Sequence, residues 1–279
     1  MTLTENLLQK ALKALPTKQS HGHNKTLLRE LSKQISRDDM DYFSADLLAE
    51  IIQTHGELAL KRESEKAQFK IYSPKAQTSG GHRTIIIDVV SDDLAFLVDS
   101  VVAEINKHNF LIDLLLHPVI YSQYDDNGKL TDVTNEAKDG YIQQSHIHIQ
   151  IKNVSSDSAL KSLEKGIEEV LKDVRYTNQD WDEMQQALQD ARMDLANAKT
   201  RRPLSEVQQY CAFLDYLYDN NFTLLGYREY KFVEKDGETK SQTVHNSGLG
   251  LLKSEIRPAY ISDREEGLPR NLQEKRKNL

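Results

Sequence analysis

SHIHIQIK, residues 145 to 152, alternates isoleucine with polar residues and sets two histidines two positions apart. A period of two marks a β-strand with unlike faces, so Ile147, Ile149 and Ile151 share one side and His146, His148 and Gln150 the other. RTIIIDVV, residues 83 to 90, has the same character, with Ile85, Ile87 and Val89 opposing Thr84, Ile86, Asp88 and Val90. Read as one strand, Leu111 to about Tyr121 sets Ile112, Leu114, Leu116, Pro118 and Ile120 against Asp113, Leu115 and His117. This parity gathers His117, His146, His148, Asp88 and Asp113 on one face and leaves an aliphatic face for helices.

The helices are legible beside the strands. SDD at 91–93 offers N-caps to a stripe of Leu94, Leu97, Val98, Val101, Val102 and Ile105, and a second stripe of Leu160, Leu163, Ile167, Val170, Leu171 and Val174 follows SHIHIQIK. FKIY at 69–72 adds a strand, TSGGH at 78–82 reads as a turn, and DDNGK at 125–129 as another. The order β, α, β, β, α with one more strand gives an α+β, ferredoxin-like antiparallel sheet with both helices on one face.

Upstream, Thr2 and Glu5 resemble a capping box opening the stripe Leu3, Leu7, Leu8, Ala11, Leu12 and Leu15; Leu27, Leu28, Leu31 and Ile35, then Phe43, Leu47, Leu48, Ile51 and Ile52, make two further stripes. These read as packing helices without chemistry, and His21 and His23 beside Gly22 as exposed link residues. Downstream, a helix is expected from about Asp180 to Lys199 and another after Pro203. NFTLLGYREYKFV at 221–233 then reads as strand. The expected division is an N-terminal helical segment (1–65), the sheet domain (66–176), a linker helix (177–203) and the start of a second α+β domain (204–279).

Composition narrows the function classes. The chain has 279 residues, a net charge of −7 and 28% charged residues, which argues against a nucleic-acid binder; the basic clusters Lys199–Arg202 and Lys275–Lys277 are short. Its one cysteine, Cys211, permits no internal disulfide or cysteine-based zinc cluster and suits a reducing compartment. No stretch approaches about 18 apolar residues in a row, so a cytoplasmic protein without membrane partners is expected.

Three features invite a site. His117, His146 and His148, with carboxylates nearby, are of the type that binds zinc or non-haem iron, but parity does not fix register; a semi-polar sheet face that packs on another domain or subunit is preferred. The loop Val90–Asp93 resembles an anion-binding helix start, yet Asp92 and Asp93 already bring negative charge, so N-capping is preferred. SGLGLLKS at 247–254 has Lys253 where a dinucleotide fingerprint needs its third glycine, and no G-x-S-x-G elbow occurs. Neither a catalytic nor a cofactor-binding constellation is found, which points to a binding or regulatory module.

AFLVDSV at 95–101, LLLHPVI at 114–120, DDNGKL at 125–130 and SHIHIQI at 145–151, in that order, resemble the N-terminal region of the large bacterial NAD-specific glutamate dehydrogenases. FLDYLYDNNFTLLGYREYKF at 213–232 and SGLGLL at 247–252 continue the resemblance, which runs from about residue 25 to the end. It implies an ACT-like sheet domain followed by the start of a PAS-like domain, both non-catalytic by themselves. The whole enzyme would use NAD to deaminate L-glutamate to 2-oxoglutarate and ammonia; this chain would hold no cofactor. Implied partners are the other domains of that enzyme, a homo-oligomer and a small amino-acid effector. Asp88, Asp92, Asp93, His117 and His148 are the candidate regulatory or interface residues. A free-standing amino-acid sensor and a small His-ligated metalloenzyme are the alternatives.

Overall fold

The computed structural model describes residues 3–15, 21–36, 43–63, 66–75, 84–235, 238–253 and 266–267. Thr2 of the capping box, the TSGGH turn, the side chain of His21 and the basic residues 275–277 lie outside the described residues. Two compact units emerge, Met1–Val174 and Arg175–Leu279.

In the first unit the chain runs α1 (Leu3–Ala14), α2 (His21–Gln34), α3 (Ala45–Ala59), β1 (Gln68–Tyr72), β2 (Ile85–Asp92), α4 (Leu97–Lys107), β3 (Leu111–Leu116), β4 (Val119–Tyr124), β5 (Leu130–Thr134), β6 (Ile142–Lys152) and the start of α5 (Asp157–Gln179). The strands form one six-stranded antiparallel sheet in the order β1-β2-β6-β4-β5, with β3 also paired to β6. SHIHIQIK lies at its centre: β6 pairs along β2 from Ile85↔Ile151 to Asp92↔Gln144, and on its other edge meets β3 and then β4.

The aliphatic face is as the alternation dictates. Ile85, Ile87, Val89, Ile147, Ile149 and Ile151 are fully buried with Leu97, Val101 and Ile105 of α4 and Leu163 and Ile167 of α5. Burying each such side chain is worth about 1.5–3 kcal/mol. The two helices therefore cover one face of the sheet, giving the ferredoxin-like α+β arrangement. The opposite face is closed by the chain's own first three helices, since Ile86, Leu114, Leu116 and Tyr72 pack with Leu27, Leu31, Leu47, Leu48, Ile51 and Ile52. It is not left open for a further domain or subunit, because α2 and α3 carry enough aliphatic surface to seal it.

Three local expectations are corrected. The strand from Leu111 to Tyr121 is two strands, broken at His117 and Pro118; Pro118 has no N–H for the ladder, though its carbonyl still accepts from the His146 N–H at 2.9 Å. A register shift between Ile112 and Leu114 turns the parity over, so Ile112 and Leu115 pack under α4 and α5 while Leu114 and Leu116 face α1–α3. Asp113, at that bulge, pairs with Lys152 at 2.7 Å instead of joining the histidines. Asp92 and Asp93 do not cap α4, since β2 runs to Asp92 and the helix starts only at Leu97, after Phe96 in the left-handed region (φ 65°).

The second unit contains α6 (Trp181–Asn197), packed on α7 (Leu204–Tyr216), a π-helical turn (Leu217–Asn221), β7 (Gly226–Tyr227), β8 (Tyr230–Lys235), β9 (Glu238–Thr243), β10 (Leu249–Gly250) and β11 (Glu266–Gly267). Asp180 ties its ends together by accepting from the Gly250 N–H at 2.7 Å and pairing with Lys253 at 2.6 Å. Pro203 holds the N-cap position of α7 and receives the Glu206 N–H on its carbonyl at 3.0 Å.

In the DDNGK turn, Gly128 takes φ 73° and its carbonyl accepts from the Arg62 N–H at 2.7 Å, joining the end of the α3 segment to the β4–β5 hairpin. A Cβ at Gly128 would run into the Arg62 carbonyl oxygen. Gly128→Ala is expected to lower stability by about 1–3 kcal/mol in urea unfolding; an unchanged midpoint would contradict this docking of the turn.

Candidate functional site

The β2–β6 register puts Asp88 directly opposite His148, so two residues of one polar face become a cross-strand pair. Asp88 Oδ1 lies 2.6 Å from His148 Nδ1 and 3.2 Å from Nε2 of His55, which α3 lowers onto the sheet. Asp88 Oδ2 accepts from the Tyr72 hydroxyl of β1 at 2.8 Å. His148 Nε2 faces the Gln150 amide at 3.1 Å. With Nδ1–H donated to Asp88, Nε2 is the acceptor and the amide the donor. Asp88, His55, His146 and His148 all have 0% exposure.

Around this core, the His146 ring lies 5.5 Å from that of His55 and 5.9 Å from that of His23, in the first turn of α2. His23 is buried, not an exposed link residue, because α2 begins four residues before Lys25 and Thr26 lead into its aliphatic stripe, and that turn rests on the sheet. Gly56 makes room for it, since a Cβ there would lie 2.8 Å from Asn24 Oδ1.

The charges follow from burial. Burial raises the Asp88 carboxyl, but the His55 and His148 imidazoles outweigh it and hold the group below its ordinary value, so Asp88 is an anion in the core. Burial, and secondarily His55, lowers His23 from 6.5 to about 4; burial, then His55 and His23, lowers His146 well below its ordinary value. An ionised carboxylate out of water requires matching positive charge or strong donors, and the His148 Nδ1–H and the Tyr72 hydroxyl are such donors. His55, Asp88 and His148 also present one ligand atom each, all within 4.8 Å of one another. Two imidazoles and a carboxylate are a donor set for a divalent transition metal.

The structure thus divides the residues singled out in the sequence. Asp88, His146 and His148 join the buried cluster. His117, Asp92 and Asp93 lie at the end of the sheet: His117 Nε2 is 2.8 Å from Ser145 Oγ, which donates to Asp93 Oδ1 at 2.5 Å, and Asp92 pairs with Arg62 at 2.6 Å. Serine stands between histidine and aspartate there and gives its proton to the carboxylate, so this is no nucleophile triad, in which histidine must hold the middle position. Burial lowers the His117 imidazole, partly offset by Asp93. His55 and Tyr72 were missed by the strand parity. The signal for His55 was its place on the stripe Leu48, Ile51, Ile52, His55, at helical spacing.

Fold and site together define an ACT-like domain whose second sheet face holds a buried histidine–aspartate cluster. The chain belongs to the family described as glutamate dehydrogenase, ACT1 domain, whose model matches residues 27–167. It is 29% identical over 194 residues to the NAD-specific glutamate dehydrogenase of Pseudomonas aeruginosa, a match covering 68% of this chain and 12% of that protein. The protein of the same name from Halomonas elongata is 29% identical over 205 residues, covering 71% of this chain and 12% of its own. The chain thus matches about an eighth of the length of these relatives. The matched span takes in α3 and residues 27–34 of α2, two of the three helices that close the polar face. Among the described residues no helix is long and apolar enough to cross a membrane.

His23 sets a pH dependence. Unfolded, it takes a proton near 6.5; folded, only near 4, so between these values the unfolded chain binds the extra proton and stability falls as pH drops. The groups facing it are His55 from α3 and His146 from β6, both beside Asp88. The loss assignable to His23 is on the order of 3 kcal/mol. Urea midpoints are expected to fall steadily from pH 6.5 to 4 and to fall less in His23→Leu; equal slopes in both proteins would contradict this assignment.

Proposed function

We propose that the chain is a non-catalytic regulatory and assembly portion of a longer NAD-dependent glutamate dehydrogenase. The whole enzyme would oxidatively deaminate L-glutamate to 2-oxoglutarate and ammonia in the cytoplasm, with NAD held elsewhere in the polypeptide. The relatives' names and the 12% share of their length support this reading. The buried cluster supports it too, since groups at 0% exposure offer a substrate no approach.

The observation that carries the assembly role is the surface of the second unit. α7 buries Val207 and Cys211 on one side, while Leu204, Tyr210, Phe213 and Tyr216 stand 43–73% exposed on the rest of the helix. Phe222, Leu225, Tyr230 and Phe232 are also 49–56% exposed. A helix apolar on both faces suits burial on both, and aromatic-rich exposed surface suits packing against another domain. In this reading residues 204–279 begin a PAS-like domain completed by its neighbours in the same enzyme. The sheet-end residues Asp92, Asp93 and His117 would be where a small amino-acid effector or a second copy acts.

The purified chain, given glutamate and NAD, is expected to produce no NADH above the blank. Phe213→Glu in the whole enzyme is expected to weaken its assembly in size-exclusion chromatography while leaving the circular dichroism of the 279-residue chain unchanged. NADH formation by the chain alone would overturn the non-catalytic reading, and an unaltered assembly the docking role.

A further inference from the structure

The geometry points to a buried, structural divalent-metal site of the zinc class formed by His55 Nε2, Asp88 Oδ1 and His148 Nδ1, with the unpartnered His146 imidazole beside it. The three ligand atoms come from α3, β2 and β6 and lie within 4.8 Å of one another. Two of their separations are 2.6 and 3.2 Å, and only the shorter, between Asp88 and His148, is a hydrogen bond. The edge of a zinc tetrahedron is roughly 3.3 Å when the bonds are about 2.0–2.1 Å. Asp88 and His148 therefore need to part by less than about 1 Å to admit the ion, within reach of small side-chain rotations.

His146 is the independent pointer. It has 0% exposure, and neither ring nitrogen has a hydrogen-bond partner, a costly state for a buried imidazole. Its ring centroid is 5.5 Å from that of His55, so an ion bound by His55, Asp88 and His148 comes to lie beside an imidazole that still has a nitrogen to offer.

The surroundings suit this chemistry. A dication answers the Asp88 anion, and Tyr72 remains on Oδ2. With the metal on Nδ1 of His148, Nε2 becomes an N–H donor, and the Gln150 amide turns over to present its oxygen, the outer-shell contact that orients metal-bound histidines. The site is closed to solvent, so its work is to fasten α3 to the sheet.

The test uses the purified 279-residue chain from zinc-supplemented culture. Elemental analysis is expected to find about one zinc per chain. After chelation, added Co2+ is expected to give the intense visible bands of a tetrahedral site. Gln150→Ala should weaken zinc binding about 10–100-fold. His148→Gln and His55→Gln should abolish the cobalt bands, while His117→Gln, outside the cluster, should leave them intact. A folded wild-type chain with neither zinc above background nor tetrahedral cobalt bands would overturn the proposal, as would full metal binding in folded His148→Gln. Should that variant not fold, the wild-type cobalt spectrum decides alone.

Discussion

The Asp88 carboxylate, ionised at the centre of a sheet and out of reach of water, is the constraint on which the first unit depends. A lone carboxylate there would be prohibitively costly, so its neighbours must supply donors or positive charge. They do so from three elements: His148 from β6, His55 from α3 and Tyr72 from β1. Meeting that requirement brings α3 down on the sheet. Gly56 then admits the first turn of α2, and His23 closes over His146. The opposite face has no such demand; it is held by the isoleucines of β2 and β6 against α4 and α5, where shape and apolar area suffice.

The alternation in SHIHIQIK and RTIIIDVV made this division legible, because strand parity is fixed by residue spacing alone. Register is not. That Asp88 meets His148 and not His146 depends on pairing across the sheet, which one sequence does not encode locally. The bulge at Asp113 shows the same limit, since one extra residue reversed the parity downstream and sent Asp113 to Lys152. His55 hid in plain view: at the end of a leucine and isoleucine stripe it reads as a boundary of the apolar face, yet it is the residue that stripe delivers to Asp88. Asp92 and Asp93 misled because SDD is a sound capping sequence, whereas the strand continues through it and the helix starts later.

The two units differ in what they leave exposed. The first closes both faces of its sheet with its own helices and turns its polar chemistry inward. The second keeps aromatic side chains on α7 and β8 in solvent. In the proposed reading the first is a finished body and the second a surface to be covered by the rest of a longer enzyme. At the end of the sheet Ser145 joins His117 to Asp93, and in the proposed reading an effector would act there. The cluster at Asp88 would keep the sheet rigid beneath it.

Asp88 and His55 hold the helices to the sheet by acting together. A double-mutant cycle with His55→Ala, Asp88→Ala and the pair, followed by urea unfolding in the presence of a chelator, measures that coupling directly. Residues in direct contact couple by about 0.5–3 kcal/mol, and a value of at least about 1 kcal/mol is expected here. Additivity of the two substitutions to within about 0.3–0.5 kcal/mol would contradict the account.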